Sequence, residues 1–577
     1  MIRICHLLLL ACVVVLFAVS GVQAQTIDYD GVRITAMPDI EPKSFFGYAF
    51  CRVIITNSSN RERDVRLSMR AQYSRALEDV SRGFKIAAGE VREESLMIPI
   101  IDFYASSMRV ELDGTQLREQ TLHRDFRCNR GYYHDKQILV DSRVSRTDFD
   151  AAFSGTGAGS SLNVELNQFE GSLSQLYQNW LGYSQFHQLI FYASSINEMP
   201  ESVRRAVFDY VRAGGSLLTI GAVTLPEDFT ELAQTRQEQP YNLKVYEGGF
   251  GRVVESEPDL IKAMADGSGR VFPNYFCDMF ASYEFRGDSP LRFAYEDTAT
   301  LSTRWLMIIV YIFAFLIGPV NVFVLHRLGR KILVFFTVPV ASVMCCLFIY
   351  GYYLVFESST LLVRRQSLTL LDERNNRAVT LANYSLFSSS SRPEGLRFDN
   401  QTEIFTYGGA SRQNSDGGLF IVLDEDQHLT TGWIKPKVPR TLHLRALQTR
   451  RERVGLSWQN GSLQLLNGLG SDIESITLIA QDGRIYTGKN IAAGRQADLM
   501  AASRSVSGSP RNLSVVFNRP WFNEISDLAR SPERFLKPGR YVAKIKTSPF
   551  LVQAIDSSAE KTEDSYVIGI LKGDTQP

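Results

Sequence analysis

Asp141, Ser194, Ser195 and Thr224 are the side chains whose types and spacing could do chemistry. Each lies at or just beyond the end of a short apolar run: Lys136–Asp141 (KQILVD), His187–Tyr192 or Ser216–Val223. Runs of that kind form buried strands, and open α/β sheets bind ligands in the crevice outside the carboxyl ends of their strands. An acid and three hydroxyls gathered at one edge could line a small-ligand crevice or serve a hydrolase. The plainer alternative is that they satisfy backbone groups at strand ends and helix caps. No Gly-x-Ser-x-Gly elbow surrounds either serine, which argues against a serine hydrolase. Gly155-Thr-Gly-Ala-Gly159 lacks the Gly-Lys-Ser/Thr ending of a phosphate loop and follows a helical rather than a strand pattern, so it reads as a loop. Gly249-Phe-Gly251 reads as hairpin backbone needing positive φ. His187, at the start of a strand, reads as structural, and Glu373 and Arg374 stand too isolated to interpret.

Metal and thiol chemistry find little support. Of seven cysteines, Cys5 and Cys12 fall in an N-terminal apolar leader and Cys345-Cys346 in a later apolar run. Cys51, Cys128 and Cys277 remain, enough for one disulfide beside a free thiol but not for a framework. Cys51 shares strand parity with Val53 and Ile55 and reads as a buried core thiol. No Cys/His spacing suggests zinc, and no cofactor is expected. Lys+Arg and Asp+Glu balance at 62 each, which leaves no electrostatic footprint for nucleic acid.

The elements that must hold these side chains lie in residues 130–257, where strand and helix patterns alternate as in an open α/β layer. Besides the runs above, Asn163–Phe169 reads as a strand, Ser145-Arg-Thr-Asp148 as a helix start, and Lys244–Glu255 as a hairpin at the sheet's edge. Ser172–Tyr183 has helical spacing through Leu173, Leu176, Tyr177 and Trp180. Pro200 opens a helix whose apolar face is Val203, Ala206, Val207, Tyr210 and Val211, ended by Gly214-Gly215.

Through HQLIFYASS (His187–Ser195), MPESVRRAVFDYVRAGG (Met199–Gly215) and SLLTIGAVTLP (Ser216–Pro226), this segment resembles the class I glutamine amidotransferase-like fold. The pattern covers under a quarter of the chain and is shared with other flavodoxin-like domains. In the active family a cysteine nucleophile follows the strand matching Ser216–Val223, whereas here the position holds Gly221-Ala-Val-Thr224. No cysteine lies between Cys128 and Cys277, and no histidine between His187 and His326. A thiol nucleophile needs a base within hydrogen-bond reach, so the resemblance implies a catalytically silent version of the fold.

On either side the chain reads as β. Residues 26–127, with strands over Tyr48–Thr56, Glu62–Gln72, Val91–Ile101 and Met108–Gln120 and a turn at Asp113-Gly114, fit an immunoglobulin-like β-sandwich. Residues 357–577 form a C-terminal β-sandwich-type region of one or two modules, and residues 258–304 a connector with a helix over Asp259–Ala265.

Between these regions stand two apolar runs, Trp305–Leu325 and Ile332–Phe356, of 21 and 25 residues. About 20 apolar residues in a helix cross a ~30 Å hydrocarbon core, so the pair reads as a transmembrane hairpin. Its connector, residues 326–331, carries Arg327, Arg330 and Lys331 and is expected to face the cytoplasm. Neither run contains Asp, Glu, Lys or Arg, which favours an anchor over a proton or ion path. Asn321 is placed to hydrogen-bond to the partner helix. Met1–Ala24 reads as a signal peptide, an uncleaved anchor being the alternative, and Leu9-Leu-Ala-Cys12 only loosely suggests a lipoprotein box.

The expected architecture is therefore a multidomain α+β membrane protein of the plasma (inner) membrane, both large regions extracytoplasmic: β-sandwich, flavodoxin-like α/β domain, two-helix hairpin and C-terminal β region. The layout is similar to that of bacterial envelope membrane proteins. The expected function is non-enzymatic binding or scaffolding, with the lipid bilayer and envelope proteins as partners. The alternatives are an accessory subunit of a membrane transporter and a hydrolase using the α/β crevice.

Overall fold

The computed structural model describes residues 25–38, 47–71, 77–99, 105–117, 120–121, 136–145, 147, 164–169, 171–231, 243–257, 303–329, 331–356, 361–388, 392, 394–406, 419–436, 438–459, 461–502, 537–551 and 560–572. β-Structure in several sheets dominates. The leader, the helix expected at Asp148, the loop at Gly155, Cys128, Cys277 and the helix Asp259–Ala265 lie outside the described residues.

The α/β layer is a seven-stranded sheet among the described residues. Val164–Gln168, Lys136–Val140, Gln188–Tyr192, Ser216–Ile220 and Gly251–Ser256 lie side by side and parallel in that order. In chain order these five parallel strands run 2-1-3-4-5, a doubly wound arrangement whose direction of winding reverses between Lys136–Val140 and Gln188–Tyr192. Ser216–Ile220 is buried throughout, as expected for a central strand of a parallel sheet covered on both faces. The helix Glu201–Arg212 buries Val203, Ala206, Val207, Tyr210 and Val211, the face its spacing predicts, together with Phe208 and Arg212. It ends before Gly214 at φ +112°, which favours glycine.

Three expectations for this layer need correction. Ser172–Tyr183 is not one helix but two short 3₁₀ turns, Leu173–Gln175 and Trp180–Tyr183. Asn179 Oδ1 accepts from the Leu181 amide at 3.0 Å and the Ser172 hydroxyl from the Ser174 amide at 3.4 Å, local bonds that compete with helix continuation. The hairpin Lys244–Gly248/Gly251–Ser256 is also not at the edge. Its second strand is an interior parallel strand, and the edge is Thr230–Glu231. Finally, Gly249 has the anticipated positive φ of +62°, but Gly251 serves by lacking a side chain. A Cβ there would sit 2.0 Å from the Val211 carbonyl oxygen.

In the N-terminal β region, Gln25–Tyr29, Val32–Pro38, Tyr48–Asn57 and Val91–Pro99 form one sheet. Arg63–Ala71, Leu77–Ile86 and Ala105–Leu112 belong to a second. Their inward residues, Ile34, Cys51, Val53 and Ile55 among them, meet Val65, Leu67, Met69 and Val110 in a common core. Cys51 is the buried thiol expected. Asp113 and Gly114 both have positive φ, as a two-residue hairpin turn requires.

The sandwich expected over residues 26–127 is not self-contained. Leu419–Leu423 adds to its second sheet, parallel to Leu77–Ile86, and brings Gln427–Thr431 and Leu396–Phe398 with it. Leu396, Phe398, Leu419, Ile421, Leu429 and Trp433 sit in the same core as Val53 and Leu67. Alternation within a strand sets which face it buries but not which strand it meets, so this union had no local signature.

Most of the other described residues of the C-terminal region form an eleven-stranded sheet, which among those residues runs from Thr402–Thr406 at one edge to Arg453–Gln459 at the other. Leu362–Asp372 and the last strand, Glu560–Ile570, are parallel neighbours within it. Its far part encloses a separate core that includes Leu465, Ile476, Leu478, Tyr541 and Val567.

Between the two β regions the chain forms the helix Thr303–Phe315, a π-helical turn Leu316–Val320, and the helices Asn321–Arg327 and Val334–Phe356. Pro319 lies inside the π turn, where the wider helix accommodates a residue without an N–H. Asn321 Nδ2 donates to Thr337 Oγ1 at 2.9 Å, across the turn between the helices. Leu325 is the one buried hydrophobic residue among those described here, while Phe323, Phe335, Phe336 and Phe348 are exposed. Val310–Arg327 is long and apolar enough to cross a membrane, and Val334–Phe348 is a shorter apolar stretch.

Candidate functional site

Asp141 ends the strand Lys136–Val140 at the point where the winding reverses, and is 1% exposed. Its Oδ1 accepts the Arg143 amide at 3.0 Å and its Oδ2 the Tyr192 amide at 3.3 Å, while its own N–H donates to the Ile190 carbonyl at 2.9 Å. The carboxylate thus ties together the ends of two neighbouring parallel strands. These are the contacts of a cap.

Arg143 extends from that turn to Ser194, donating Nη1–H to the hydroxyl at 3.1 Å, and to Glu198 through Nη2. Ser194 is exposed, and its side-chain partner is a guanidinium, which has no lone pair to take up a proton. Activation of a hydroxyl nucleophile requires a base in that place. Ser195 is fully buried, and its hydroxyl has no hydrogen-bond partner among the described residues. Thr224 is exposed on the loop after Ser216–Ile220, and no hydrogen bond joins it to the other three among the described residues. That loop is held by Glu255, whose Oε1 accepts the Val223 amide at 3.0 Å and whose Oε2 accepts the Tyr246 hydroxyl at 3.2 Å. The structure therefore links Asp141 and Ser194 through Arg143 and leaves Ser195 and Thr224 outside that chain of contacts. His187 Nδ1 accepts the Gln137 amide at 3.0 Å, a structural role. Among the described residues no three His, Cys, Asp or Glu side chains gather as metal ligands would.

A second polar constellation, with no local signature in the sequence, lies where the α/β layer meets both β regions. Tyr48, fully buried, donates its hydroxyl to Gln427 Oε1 at 2.7 Å and accepts the Ile404 amide at 3.1 Å, while its own amide donates to Ser184 Oγ at 3.1 Å. Burial pushes its phenol far above the ordinary range. Close by, Arg445 and Glu403 form an ion pair whose side chains are 5% and 1% exposed. Arg445 also donates to the Ala213 carbonyl at 3.2 Å and stacks over the Trp180 ring at 5.1 Å. Burial raises the Glu403 carboxyl, and Arg445 opposes that shift.

Further bonds repeat the pattern. Asp209 Oδ1 accepts from both Arg212 and Arg377 at 2.7 Å, Lys537 pairs with Glu247 at 3.0 Å, and Asn179 donates to the Asn400 carbonyl at 2.8 Å. Each of the last three contacts crosses from the α/β layer to the C-terminal region. At Gly47 the crossing is backbone against backbone, since a Cβ there would lie 2.4 Å from the Gln185 nitrogen. What this arrangement can do chemically is hold: it binds three separately wound pieces into one body through desolvated, directional contacts.

A scan against protein-family models finds no match. A search of curated proteins finds none either. Among solved structures, the chain is similar to the yeast delta-COP-I mu-homology domain complexed with a Dsl1 WxWxV peptide, at 9% identity and a TM-score of 0.15, over 36% of this chain and 95% of that one. A likeness that low carries no argument about fold or function.

Proposed function

We propose that the protein is a membrane-anchored, extracytoplasmic binding or scaffold protein of the cell envelope, without catalytic activity of its own. One observation carries the reading. Leu77–Ile86 precedes the apolar helices and Leu419–Leu423 follows them, yet the two are neighbouring strands over a common core. Segments that share a sheet lie on one side of any bilayer, so the chain between them crosses an even number of times or not at all. A single crossing by Val310–Arg327 is incompatible with that pairing. Two crossings, Trp305–Leu325 and Ile332–Phe356, fit the exposure of apolar side chains around both helices. With Arg327, Arg330 and Lys331 at the turn, the positive-inside tendency puts the turn in the cytoplasm and the folded body outside. Met1–Ala24, as a signal peptide, would export the first half.

Particular residues speak against catalysis. Asp141 is engaged by backbone amides and Ser194 by Arg143. Gly221-Ala-Val-Thr224 stands where an amidotransferase-like domain would carry its cysteine. The α/β layer is read as a silent, flavodoxin-like domain serving as a rigid wall of the scaffold. The accessory-transporter reading draws support from the Asn321–Thr337 bond and the exposed helix faces, which partner helices could cover. Crosslinking in intact membranes separates these readings. A scaffold is captured with envelope proteins through its exported body and keeps them in Asp141→Ala and Ser194→Ala variants, whereas capture only through the helices points to the transporter subunit. Loss of a measurable hydrolytic activity in those two variants would overturn the non-enzymatic reading.

A further inference from the structure

Glu373 follows the strand Leu362–Asp372 and is 3% exposed. Its Oε1 accepts the Val454 amide at 2.9 Å and the Tyr541 hydroxyl at 2.8 Å, and the backbone N–H of Lys572 also donates to the carboxyl group. Its own amide donates to the Ile570 carbonyl at 3.1 Å. One side chain thereby joins four stretches remote in sequence: its own turn, the start of Arg453–Gln459, the strand Arg540–Ile545 and the end of Glu560–Ile570. Tyr541 can reach it because its strand partner is Gly569. A Cβ at 569 would lie 2.0 Å from the tyrosine ring.

The charged and titratable groups around Glu373 do not neutralise it. Asp372 and Arg374 flank it on its own turn and pair with each other at 3.4 Å. Arg453, at the start of the edge strand, acts on it by charge alone, without an ion-pair contact. Tyr541 is held well above the ordinary phenol range by burial and by Glu373 itself, so it stays a donor. Lys572 contributes its backbone, and its side chain is exposed. Burial outweighs these contacts and moves the carboxyl up from 4.5 to about 7.

Arg453–Gln459 is the terminal strand of the eleven-stranded sheet and pairs only with Ser462–Gly468 among the described residues. A strand bound on one side is the part of a sheet most easily released. We infer that Glu373 is a proton-controlled latch on the C-terminal β module, holding the Arg453–Gln459 edge strand closed while protonated and releasing it as the buried carboxyl takes on charge. When released, the carboxylate gains water at the expense of the Val454 and Tyr541 bonds.

The sign follows from linkage. A carboxyl raised in the closed form favours closure fully below its ordinary value of 4.5, and that advantage is lost as pH rises towards about 7. Hydrogen exchange on the full-length protein in detergent or nanodiscs tests this, with rates corrected for intrinsic base catalysis. Protection of the Arg453–Gln459 amides should fall roughly a hundredfold between pH 4.5 and 7 and then level off. Glu373→Gln should make that profile flat. Tyr541→Phe, which removes a donor to the charged form, should extend the decline above pH 7 and provides a second reading if the glutamine variant does not fold. A flat wild-type profile, a glutamine variant that follows the wild type, or an unmoved window in the phenylalanine variant would each overturn the latch.

Discussion

Tyr48 and Gln427 are 379 positions apart and share a 2.7 Å hydrogen bond with no exposed surface on either residue. Tyr48 lies before the α/β layer and the apolar helices, Gln427 after both. Their contact makes the helices an excursion from a single folded body rather than a divider between two. It also places a directional, desolvated bond at the centre of the joint, where loss of one partner leaves the others unsatisfied.

Tyr48→Phe should therefore destabilise the protein by about 1–3 kcal/mol, since Gln427 Oε1 loses its donor and the Ile404 amide its acceptor in a site water does not reach. Denaturant unfolding followed by circular dichroism measures this. A change under a few tenths of a kcal/mol would show that the joint relaxes around the missing hydroxyl.

Arg445→Met leaves Glu403 buried without its cation and should cost about 3–5 kcal/mol. Adding Glu403→Leu should restore most of that loss, because two apolar side chains avoid desolvating charge. A double-mutant cycle measures the coupling. If the double variant is as unstable as the sum of the singles, the two residues act independently.

His443 titrates with the opposite sign to Glu373. Burial pushes its imidazole down from 6.5 to about 4, and Nδ1 sits 2.6 Å from Asn383 Oδ1. The folded state favours the neutral ring, so stability present above pH 6.5 is lost as pH falls towards 4. His443→Phe should remove that acid-side decline in a melting-temperature profile. If the profile keeps its shape, other groups control acid unfolding.

Gly251→Ala should cost more than about 3 kcal/mol, because the added carbon would meet backbone oxygens of Val211 and Gly215 at 2.0 and 2.3 Å. Gly461→Ala, where a Cβ meets nothing within 4 Å but φ is +78°, should cost about 1 kcal/mol from backbone strain alone. Thermal unfolding of the two variants side by side checks the ranking, and equal losses would contradict it.

What could be read from the sequence was what local periodicity and turn chemistry encode. Val203, Ala206, Val207, Tyr210 and Val211 mark their helix because helical spacing is a property of one segment, and Asp113-Gly114 marks its turn because positive φ is a property of two residues. Ser172–Tyr183 misled because the capping bonds of Ser172 and Asn179 outweigh a helical apolar spacing. The union of Leu419–Leu423 with Leu77–Ile86 was hidden, since pairing across more than three hundred residues leaves no mark on either strand. At the candidate site, the sequence grouped Asp141, Ser194, Ser195 and Thr224 by strand ends. It could not show that Arg143 and the Tyr192 amide occupy the first two. Glu373 and Arg445 escaped for a related reason. A lone charge in a strand or just after one reads as solvated until its distant partners are known.

Sided labelling tests the central claim most directly. In a background without native cysteines, Glu62→Cys, Leu328→Cys and Lys489→Cys each place a thiol at an exposed position, before, within and after the apolar helices. A membrane-impermeant maleimide added to intact spheroplasts should label positions 62 and 489 equally and reach 328 only after lysis. Labelling of 62 and 489 from opposite sides would contradict the shared sheet and the scaffold reading built on it.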